Sequence, residues 1–443
     1  MSAARPPSDS APTGRRGRTG VWLVGACGGV ATLAVVGARA IARGLRPPTG
    51  LLTATPAFAG LDLPPVEELV FGGHEVRDTD WVRSADEYRR RAGVFDESLL
   101  ATLRDDLEAA SENLRPGYLV NPVETVKALA RKGRVARAKG VRQVVAGIQA
   151  DLADFARRHR LDTVVVVNVS STEPPRDLPI EWATLERFER SLDGAARKAL
   201  TASVVHAYAA LDAGCPYVNF TPSPGSTIPA LLELAEKRGV PHMGSDGKTG
   251  ETLVKTVLAP LFTGRALRVL SWEGYNMLGN RDGLVLDDPL AKQSKTRSKD
   301  VALRSILKDD ATHTRVSIDY VPSLDDWKVA WDYVHFEGFL GAKMAMQFTW
   351  QGNDSVLAAP LVLDLARFAA LAKARGERGL MTHLAAYFKN PAGVDEHTFV
   401  RQLALLEAYA AGRAAPPAAH GAAQPGTPGP GSAGATRAKS PGR

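Results

Sequence analysis

The stretch Thr163-Val164-Val165-Val166-Val167-Asn168-Val169 decides the fold class, because five of its seven residues are valine. Branching at Cβ favours the extended backbone of a strand. A strand without alternating polar residues is covered on both faces, which is typical of a parallel sheet enclosed by helices. The stretch therefore predicts an α/β protein.

The segments on either side of this strand alternate in the same way. Before it, the strand Val21-Trp22-Leu23-Val24 leads through a glycine turn into a helix that ends near Arg43. The remaining predicted strands are 68–71, 217–220 and 240–243, and the remaining predicted helices are 96–114, 142–159, 195–211 and 228–237. This alternation predicts a Rossmann-like, doubly wound parallel sheet.

The pattern changes after Thr263, where strands follow one another with few helices between them. These predicted strands are 267–272, 314–321, 333–339 and 344–350. They predict a second, α+β region with an open antiparallel sheet, and apolar helices return at 356–372 and 398–411. We expect a Rossmann-like domain over 20–250, an α+β domain over 251–352, and a return to the first domain over 353–413.

The two ends of the chain are rich in Pro, Gly, Ala and Ser, so residues 1–19 and 414–443 are predicted to be disordered tails. Most of the net charge of +7 lies in them, which leaves a nearly neutral body and argues against a nucleic-acid partner. The two cysteines, Cys27 and Cys215, give neither a disulfide framework nor a zinc pattern. We therefore expect a cytoplasmic protein, and no metal site is predicted.

An apolar run from Val21 to Ala38 follows the basic segment Arg15–Arg18, and Ala38-Arg39-Ala40 resembles a signal-peptidase site. An export signal and a membrane anchor are the alternatives that this pattern raises. Glycines interrupt the run, which favours a strand, a turn and a helix. We therefore expect no membrane association.

The glycine turn after the first strand predicts a dinucleotide site, because glycines let the backbone approach a pyrophosphate at a helix N-terminus. Its candidate residues are Gly25, Gly28, Gly29, Val30, Ala31 and Thr32. The spacing departs from G-x-G-x-x-G, and an ordinary strand–helix turn is the alternative. Glu75 is the candidate acid for a ribose, although it lies beyond the usual ~20-residue spacing.

Two further segments follow predicted strands. Ser171 and Thr172 lie at the carboxyl end of the valine strand, where ligands of doubly wound sheets bind, and a helix cap is the alternative. Gly244–Gly250 lacks the spacing of a phosphate-binding P-loop. Within it, Asp246 and Lys248 remain site candidates, with a polar turn as the alternative.

The last candidates lie in and beyond the second region. Lys295 and Lys299 are four residues apart, so a helix would place both on one face, where a phosphate could bind between them. Buried lysines beside other cations can act as acids, bases or electrophiles, although a single lysine is more often a surface charge. The other members of this set are Asn280, Lys328, Asp354 and Lys389.

In order along the chain, these motifs resemble the inositol-3-phosphate synthase family over about residues 20–412. The segments that carry the resemblance are Phe71–Glu75, Asn219–Gly225, Gly244–Gly250, Tyr275–Gly283, Ser294–Lys299, Asp326–Lys328 and Asp354–Pro360. The resemblance implies conversion of D-glucose 6-phosphate to 1D-myo-inositol 3-phosphate with tightly held NAD. It implies oxidation at C5, enolisation at C6, aldol closure onto C1 and reduction, in a homotetramer assembled through the α+β domain.

The resemblance also implies residue roles. Lys295 and Lys328 would polarise an oxygen and transfer protons, whereas Lys299 and Lys389 would contact the phosphate. The remaining matches are Asp246 and Asn280 near the reacting carbons and Asp354 near the nicotinamide. Arg281 and Trp327 stand where the family has smaller residues. An NAD-dependent enzyme on another sugar phosphate and a non-catalytic NAD-binding paralogue remain the alternatives.

Overall fold

The computed structural model describes residues 17–130, 133, 135–174, 178–193, 198–280, 303–309 and 311–413. Lys295, Lys299 and Arg281 lie outside the described residues. So do the predicted tails, apart from residues 17–19.

A sheet of seven parallel strands forms the first layer, in the order β11-β6-β5-β4-β1-β2-β3. The strands are β1 (Thr19–Val24), β2 (Val70–Glu75), β3 (Leu114–Pro116), β4 (Thr163–Asn168), β5 (Tyr217–Asn219), β6 (Pro241–Gly244) and β11 (Gly379–Leu380). The valine stretch is β4, which pairs with β1 at the centre of the sheet. The predicted doubly wound α/β fold is confirmed.

Helices cover this sheet. They are α1 (Gly29–Ala42), α2 (Trp81–Ala92), α3 (Glu97–Ser111), α4 (Glu124–Ala130), α5 (Val141–His159), α6 (Leu185–Ser191), α7 (Ala202–Asp212), α8 (Pro229–Arg238), α10 (Asp354–Ala374) and α11 (Phe399–Ala410). One further helix, α9 (Gly250–Gly264), packs on the second sheet instead. By length and composition α10 could cross a membrane, but 72 % of its apolar window is buried inside the protein. It therefore has the character of a core helix.

The N-terminal apolar run forms β1 and α1, as the interrupting glycines predicted. All six residues of β1 are buried, and most of α1 is buried too. Apolar clusters lie on both faces of the sheet, with Leu23 in one cluster and Trp22 in the other. The run therefore supplies the centre of the protein core.

The second strand was predicted at 68–71, and this placement is wrong because β2 runs from Val70 to Glu75. Gly72 and Gly73 lie inside the strand, beyond the predicted end at residue 71. A Cβ at Gly73 would collide with the carbonyl oxygen of Leu23, so close contact with β1 requires glycine there.

The second sheet has four strands in the order β10-β9-β7-β8. Its strands are β7 (Arg268–Leu278), β8 (His313–Tyr320), β9 (Lys328–Glu337) and β10 (Lys343–Gly352). The predicted antiparallel sheet is corrected here, because β7 and β8 are parallel while β9 is antiparallel to β7 and β10. Parallel neighbours need a long connection, and more than thirty residues separate β7 from β8.

Buried charges join α9 to the second sheet. Lys255 Nζ lies 2.6 Å from Glu251 Oε1 and 2.9 Å from Asp332 Oδ1. The indole N–H of Trp272 also donates to Asp332 Oδ1 at 2.8 Å. Burial raises the pKa of Asp332 to about 6. We call Lys255, Glu251 and Asp332 the buried charge triad.

Candidate active site

A cleft of about 370 Å³ opens at the carboxyl edge of the seven-stranded sheet, beside β1 and β4. The chain order of the strands reverses between these two neighbours, which is where doubly wound sheets bind ligands. Residues of the second sheet complete the lining, among them Asn280 and Lys328. The cleft therefore has walls from both sheets.

The glycine turn forms one wall of the cleft. Gly25 has a φ of 84°, and a Cβ there would lie 2.9 Å from the Cα of Ser170. A Cβ at Gly29 would lie 2.8 Å from Ser355 Oγ. Both positions therefore require glycine, which leaves the backbone open to a ligand.

The N-terminus of α1 fits a phosphate group. Gly28 is its N-cap, and no side chain caps the first turn. In the described part of the chain, the buried hydroxyl of Thr32 in this turn has no hydrogen-bond partner. Gly28, Gly29, Val30 and Thr32 line the cleft, whereas Ala31 packs in the apolar core. These features suit the pyrophosphate of a dinucleotide.

Glu75 ends β2 beside this turn and lines the cleft. Its Oε2 accepts the N–H of Cys27 at 2.9 Å, and its Oε1 accepts the N–H groups of Val76 and Arg77, each at 2.9 Å. The guanidinium of Arg77 lies 3.3 Å from Oε1. The carboxylate is thus fixed at the end of the strand where dinucleotide-binding folds place the acid for a ribose.

The loop after β4 forms the opposite wall. Ser171 and Thr172 line the cleft, and Thr172 is buried. Hydrogen bonds hold the loop at both ends. Ser170 Oγ donates to Asn168 Oδ1 at 2.7 Å, and the N–H of Glu173 donates to Ser223 Oγ at 3.1 Å. These contacts fix polar groups on the side facing the glycine turn.

Asp246 and Lys389 form a buried pair, with Nζ of Lys389 donating to Asp246 Oδ1 at 2.8 Å. The backbone also joins them, because the Lys389 N–H donates to the Asp246 carbonyl at 2.7 Å. Asp246 has a φ of 63°, a strained conformation for a residue with a side chain. Both residues line the cleft. The surrounding structure must therefore hold Asp246 in its strained conformation at the cleft wall.

Lys328 and Asp354 form a second pair in the same cleft, with Nζ 3.1 Å from Asp354 Oδ2. Lys328 begins β9 of the second sheet, whereas Asp354 begins α10, which packs on the first. Asn280 follows β7 and lines the cleft near them. The structure therefore brings two lysines, two carboxylates and an amide to one cavity.

Lys248 does not line the cleft. Its Nζ donates to Gln402 Oε1 and lies 5.5 Å from the centre of the Phe399 ring. Burial lowers its pKa to about 7. Lys248 thus links the loop that carries Asp246 to α11.

Sequence reasoning missed Tyr88 of α2, which lines the cleft and touches the loop before Lys328. The burial period of α2 places Tyr88 on the inner face, but it gives no sign of its polar contacts. Trp327 is 41 % exposed, and its indole N–H donates to the Ala92 carbonyl at 3.1 Å. Its side chain therefore does not narrow the cleft.

The sheet order, the glycine turn and the fixed acid at the end of β2 define a Rossmann-type dinucleotide-binding protein. A family model described as myo-inositol-1-phosphate synthase matches residues 19–410. Inositol-3-phosphate synthase 1 of Bacteroides thetaiotaomicron is 33 % identical over 86 % of this chain and 91 % of its own length. The chain therefore belongs to the myo-inositol-1-phosphate synthase family, whose cofactor is NAD.

Other relatives and solved structures agree with this assignment. Inositol-3-phosphate synthase of Spirodela polyrhiza is 31 % identical over 70 % of this chain, and the match spans 62 % of the Spirodela protein. The structure of inositol-3-phosphate synthase from Caenorhabditis elegans has a TM-score of 0.78 at 24 % identity, covering 89 % of this chain and 86 % of that one. A myo-inositol-1-phosphate synthase-related protein from Thermotoga maritima gives 0.71 at 24 % identity, covering 88 % and 98 %. These structures share the fold.

Proposed function

We propose that the protein converts D-glucose 6-phosphate to 1D-myo-inositol 3-phosphate without net oxidation or reduction. The observation that carries this proposal is the pair of lysine–carboxylate contacts, Lys328–Asp354 and Lys389–Asp246, in which both lysines are buried in the cleft beside the glycine turn. A dehydrogenase needs only one proton-transfer group beside its cofactor. Cyclisation also requires an enolisation and an aldol closure, so several proton-transfer groups must face one substrate.

When bound, NAD would supply reversible hydride transfer at the substrate carbon C5, which makes the overall conversion redox-neutral. The N-terminus of α1 would hold its pyrophosphate, at Gly28, Gly29 and Val30. Glu75 would accept hydrogen bonds from the adenosine ribose through the capacity that its backbone contacts leave open. Ser171 and Thr172 would bind the cofactor from the opposite wall of the cleft.

We assign Lys328 to the C5 oxygen. An ammonium group in a cavity with little water polarises a ketone strongly, which acidifies the C6 protons and stabilises the enolate. Asp354 holds the Nζ of Lys328 at 3.1 Å and so fixes the direction of this charge. The same lysine can accept the hydroxyl proton when C5 is oxidised and return it to the oxygen when C5 is reduced.

We assign Lys389 to the phosphate and to proton transfer beside it, with Asp246 as its partner. The lysine carries the positive charge that a phosphate needs, and the carboxylate can accept a proton from carbon or oxygen. Asn280 would donate a hydrogen bond to the C1 oxygen, on which negative charge develops during ring closure. By the family resemblance, Lys295 and Lys299 complete the group, Lys295 at the oxyanion and Lys299 at the phosphate.

A product assay tests this function. Purified protein is incubated with glucose 6-phosphate and NAD, and both inositol monophosphate and NADH are measured. We expect inositol monophosphate without net NADH. Net NADH without that product would indicate a dehydrogenase of another sugar phosphate, and bound NAD without turnover would indicate a non-catalytic paralogue.

The assay is then repeated on variants. Lys328→Ala and Lys389→Ala should each lower kcat by about 10²–10³-fold, the usual loss when one charge-stabilising donor is removed. Lys237→Ala, at an exposed lysine of α8, is the matched control and should retain full activity. Full activity of Lys328→Ala would contradict the assigned role.

We further propose that the protein is a cytosolic homotetramer assembled through the second sheet. Tyr275, Trp331 and Tyr333 form a row of aromatic rings, with neighbouring centres 5.9 and 6.0 Å apart. Tyr275 and Trp331 are more than one third exposed. A row of exposed aromatic rings favours burial against another copy of the chain.

A further inference from the structure

Tyr88 makes two polar contacts that cross from α2 to distant parts of the chain. Its hydroxyl lies 2.5 Å from Asp326 Oδ2 and 2.5 Å from Asn353 Oδ1. The side chain is buried, so these two groups replace the water that a phenol would otherwise bind. The contact with Asp326 joins the phenol to a carboxyl group, the kind of partner that forms short hydrogen bonds.

Both acceptors stand next to residues of the site. Asp326 is two residues before Lys328, and Asn353 immediately precedes Asp354. Asn353 is also the N-cap of α10, because its Oδ1 accepts the N–H of Val356 at 3.0 Å. One phenol therefore touches the segments that carry both members of the Lys328–Asp354 pair.

The ring of Tyr88 also contacts the cofactor side of the cleft. A Cβ at Gly29 would lie 3.2 Å from its Cε2 atom, so the ring packs beside the glycine turn. Two neighbouring contacts hold the same α2 end against the same loop. Arg91 Nε donates to Asp325 Oδ1 at 3.3 Å, and the Trp327 indole donates to the Ala92 carbonyl at 3.1 Å.

We propose that Tyr88 is a positioning residue, which fixes the Lys328–Asp354 pair at a set distance from the glycine turn through Asp326 and Asn353. Lys328 comes from the second sheet and Asp354 from a helix on the first, so their separation depends on how the two sheets dock. The phenol bridges that junction from a third element. This role rests on the proposed function, because it concerns the geometry of that reaction.

The Tyr88 hydroxyl has one proton for two neighbouring oxygens, so the protonation state of Asp326 decides which of them accepts it. Burial raises the pKa of Tyr88, so the phenol keeps its single proton. Burial also raises the pKa of Asp326. A proton on Asp326 would let its carboxyl donate to the phenol oxygen while the phenol donates to Asn353. With Asp326 ionised, the phenol donates to the carboxylate instead.

The test compares wild type with Tyr88→Phe, which keeps the ring and removes the hydroxyl. We expect kcat to fall about 10–100-fold, because a misplacement of ~1 Å costs up to about 10² in rate. The dissociation constant for NAD, measured by tryptophan quenching, should change less than threefold. Tyr409→Phe removes a comparable phenol–carboxylate bond to Glu377, 2.8 Å long and away from the cleft, and should keep wild-type kcat.

A double-mutant cycle separates positioning from general destabilisation. Tyr88→Phe and Asp326→Ala break the same contact, so the double variant should lose little more activity than the worse single variant. Additive losses would overturn the inference, as would a Tyr88→Phe enzyme with kcat within twofold of wild type.

A structural measurement keeps this inference separate from the proposed function. If wild type makes no inositol monophosphate, the proposed function fails. Crystal structures of wild type and Tyr88→Phe then test Tyr88 directly, and we expect the distance from Lys328 Nζ to the Cα of Gly29 to change by ~1 Å in the variant. An unchanged distance would overturn the positioning role whatever the reaction is.

Discussion

Both faces of the seven-stranded sheet rest on apolar side chains such as Leu23 and Val166, whereas the four-stranded sheet encloses three charged side chains that are at most 2 % exposed. Apolar contacts are nondirectional, and they tolerate small shifts of one layer over another. The buried charge triad is directional, because Lys255 must meet Glu251 and Asp332 at once. The first sheet is thus held mainly by apolar packing, whereas the second adds a directional charge triad to its own apolar cluster, which includes Trp272 and Val334.

This difference bears on the site, because the second sheet presents Lys328 and Asn280 to a cleft whose floor belongs to the first. A buried ion pair adds little net stability, but removing one partner leaves an uncompensated charge. We infer that the triad fixes how α9 docks on the second sheet. The predictions below test the contrast between the two sheets, beginning with the largest expected effect.

Lys255→Met should lower the free energy of unfolding by about 4 kcal/mol at pH 7.5, since it leaves two carboxylates buried without a cation. Urea unfolding followed by circular dichroism measures it, with Lys237→Met as the exposed control. The loss should be smaller at pH 5, where Asp332 is protonated because burial raises its pKa to about 6. A loss of the same size at both pH values would remove the electrostatic explanation.

Leu23→Ala in β1 should lower the free energy of unfolding by about 3 kcal/mol, through lost transfer energy and the cavity left behind. Leu23 packs in an apolar cluster, so we expect the same loss at pH 5 and pH 7.5. Comparing the two pH values separates this variant from Lys255→Met. A strong pH dependence here would mean that the two cores differ less than described.

Asp364 of α10 is a buried acid of the first region. Its carboxylate accepts the N–H of Leu52 at 2.8 Å and the hydroxyl of Tyr387 at 3.1 Å. Burial raises its pKa from 3.8 to about 6, so the native state binds a proton more tightly than the unfolded chain. Its contribution to stability is therefore present at low pH and is lost as pH rises from about 4 to 6.

Asp364→Asn should remove this loss. The difference between wild type and variant in free energy of unfolding should change by on the order of 2 kcal/mol between pH 4 and pH 6.5, in favour of the variant at the higher pH. Chemical unfolding at both pH values measures it. Parallel pH profiles of the two proteins would show that Asp364 keeps an ordinary affinity for protons.

Trp331→Lys on the outer face of the second sheet should change the stability of a single chain by no more than about 0.5 kcal/mol, because the side chain is partly exposed. It should nevertheless disrupt the proposed tetramer, which sedimentation velocity would detect as smaller species. Val400→Lys, at an exposed apolar residue of α11, is the control and should leave assembly unchanged. Intact tetramers of the Trp331 variant would place the interface elsewhere.

The first sheet was largely predictable from the sequence, because β4 and β1 are short apolar runs bounded by turn residues. Such patterns depend on local preference and on burial, which the sequence carries directly. The strand that was misplaced is β2. It contains Gly72 and Gly73, and glycine is required there because β2 lies in close contact with β1. Local sequence cannot distinguish a glycine that a neighbouring strand requires from a glycine in a turn.

The site was predictable only in part. Asp246, Lys328 and Asp354 could be named because each stands in a recognisable motif, and Lys389 because the family resemblance implies it. The structure places all four around one cleft. Their pairing could not be read from the sequence, since Lys389 is 143 positions from Asp246. Tyr88 carries no motif, and its partners are 238 and 265 positions away. Contacts of this kind depend on how the two sheets dock.

Strand β11 and helix α10 complete the seven-stranded sheet from the far end of the chain, after the whole second sheet. During synthesis, β1 and α1 emerge early, yet α10, which covers them, emerges some 330 residues later. At ordinary translation rates this interval lasts on the order of tens of seconds. The nascent protein therefore exposes one apolar face of its central sheet for most of its synthesis. We expect chaperones that hold apolar segments to bind the ribosome-attached chain until the residues of α10 have left the exit tunnel.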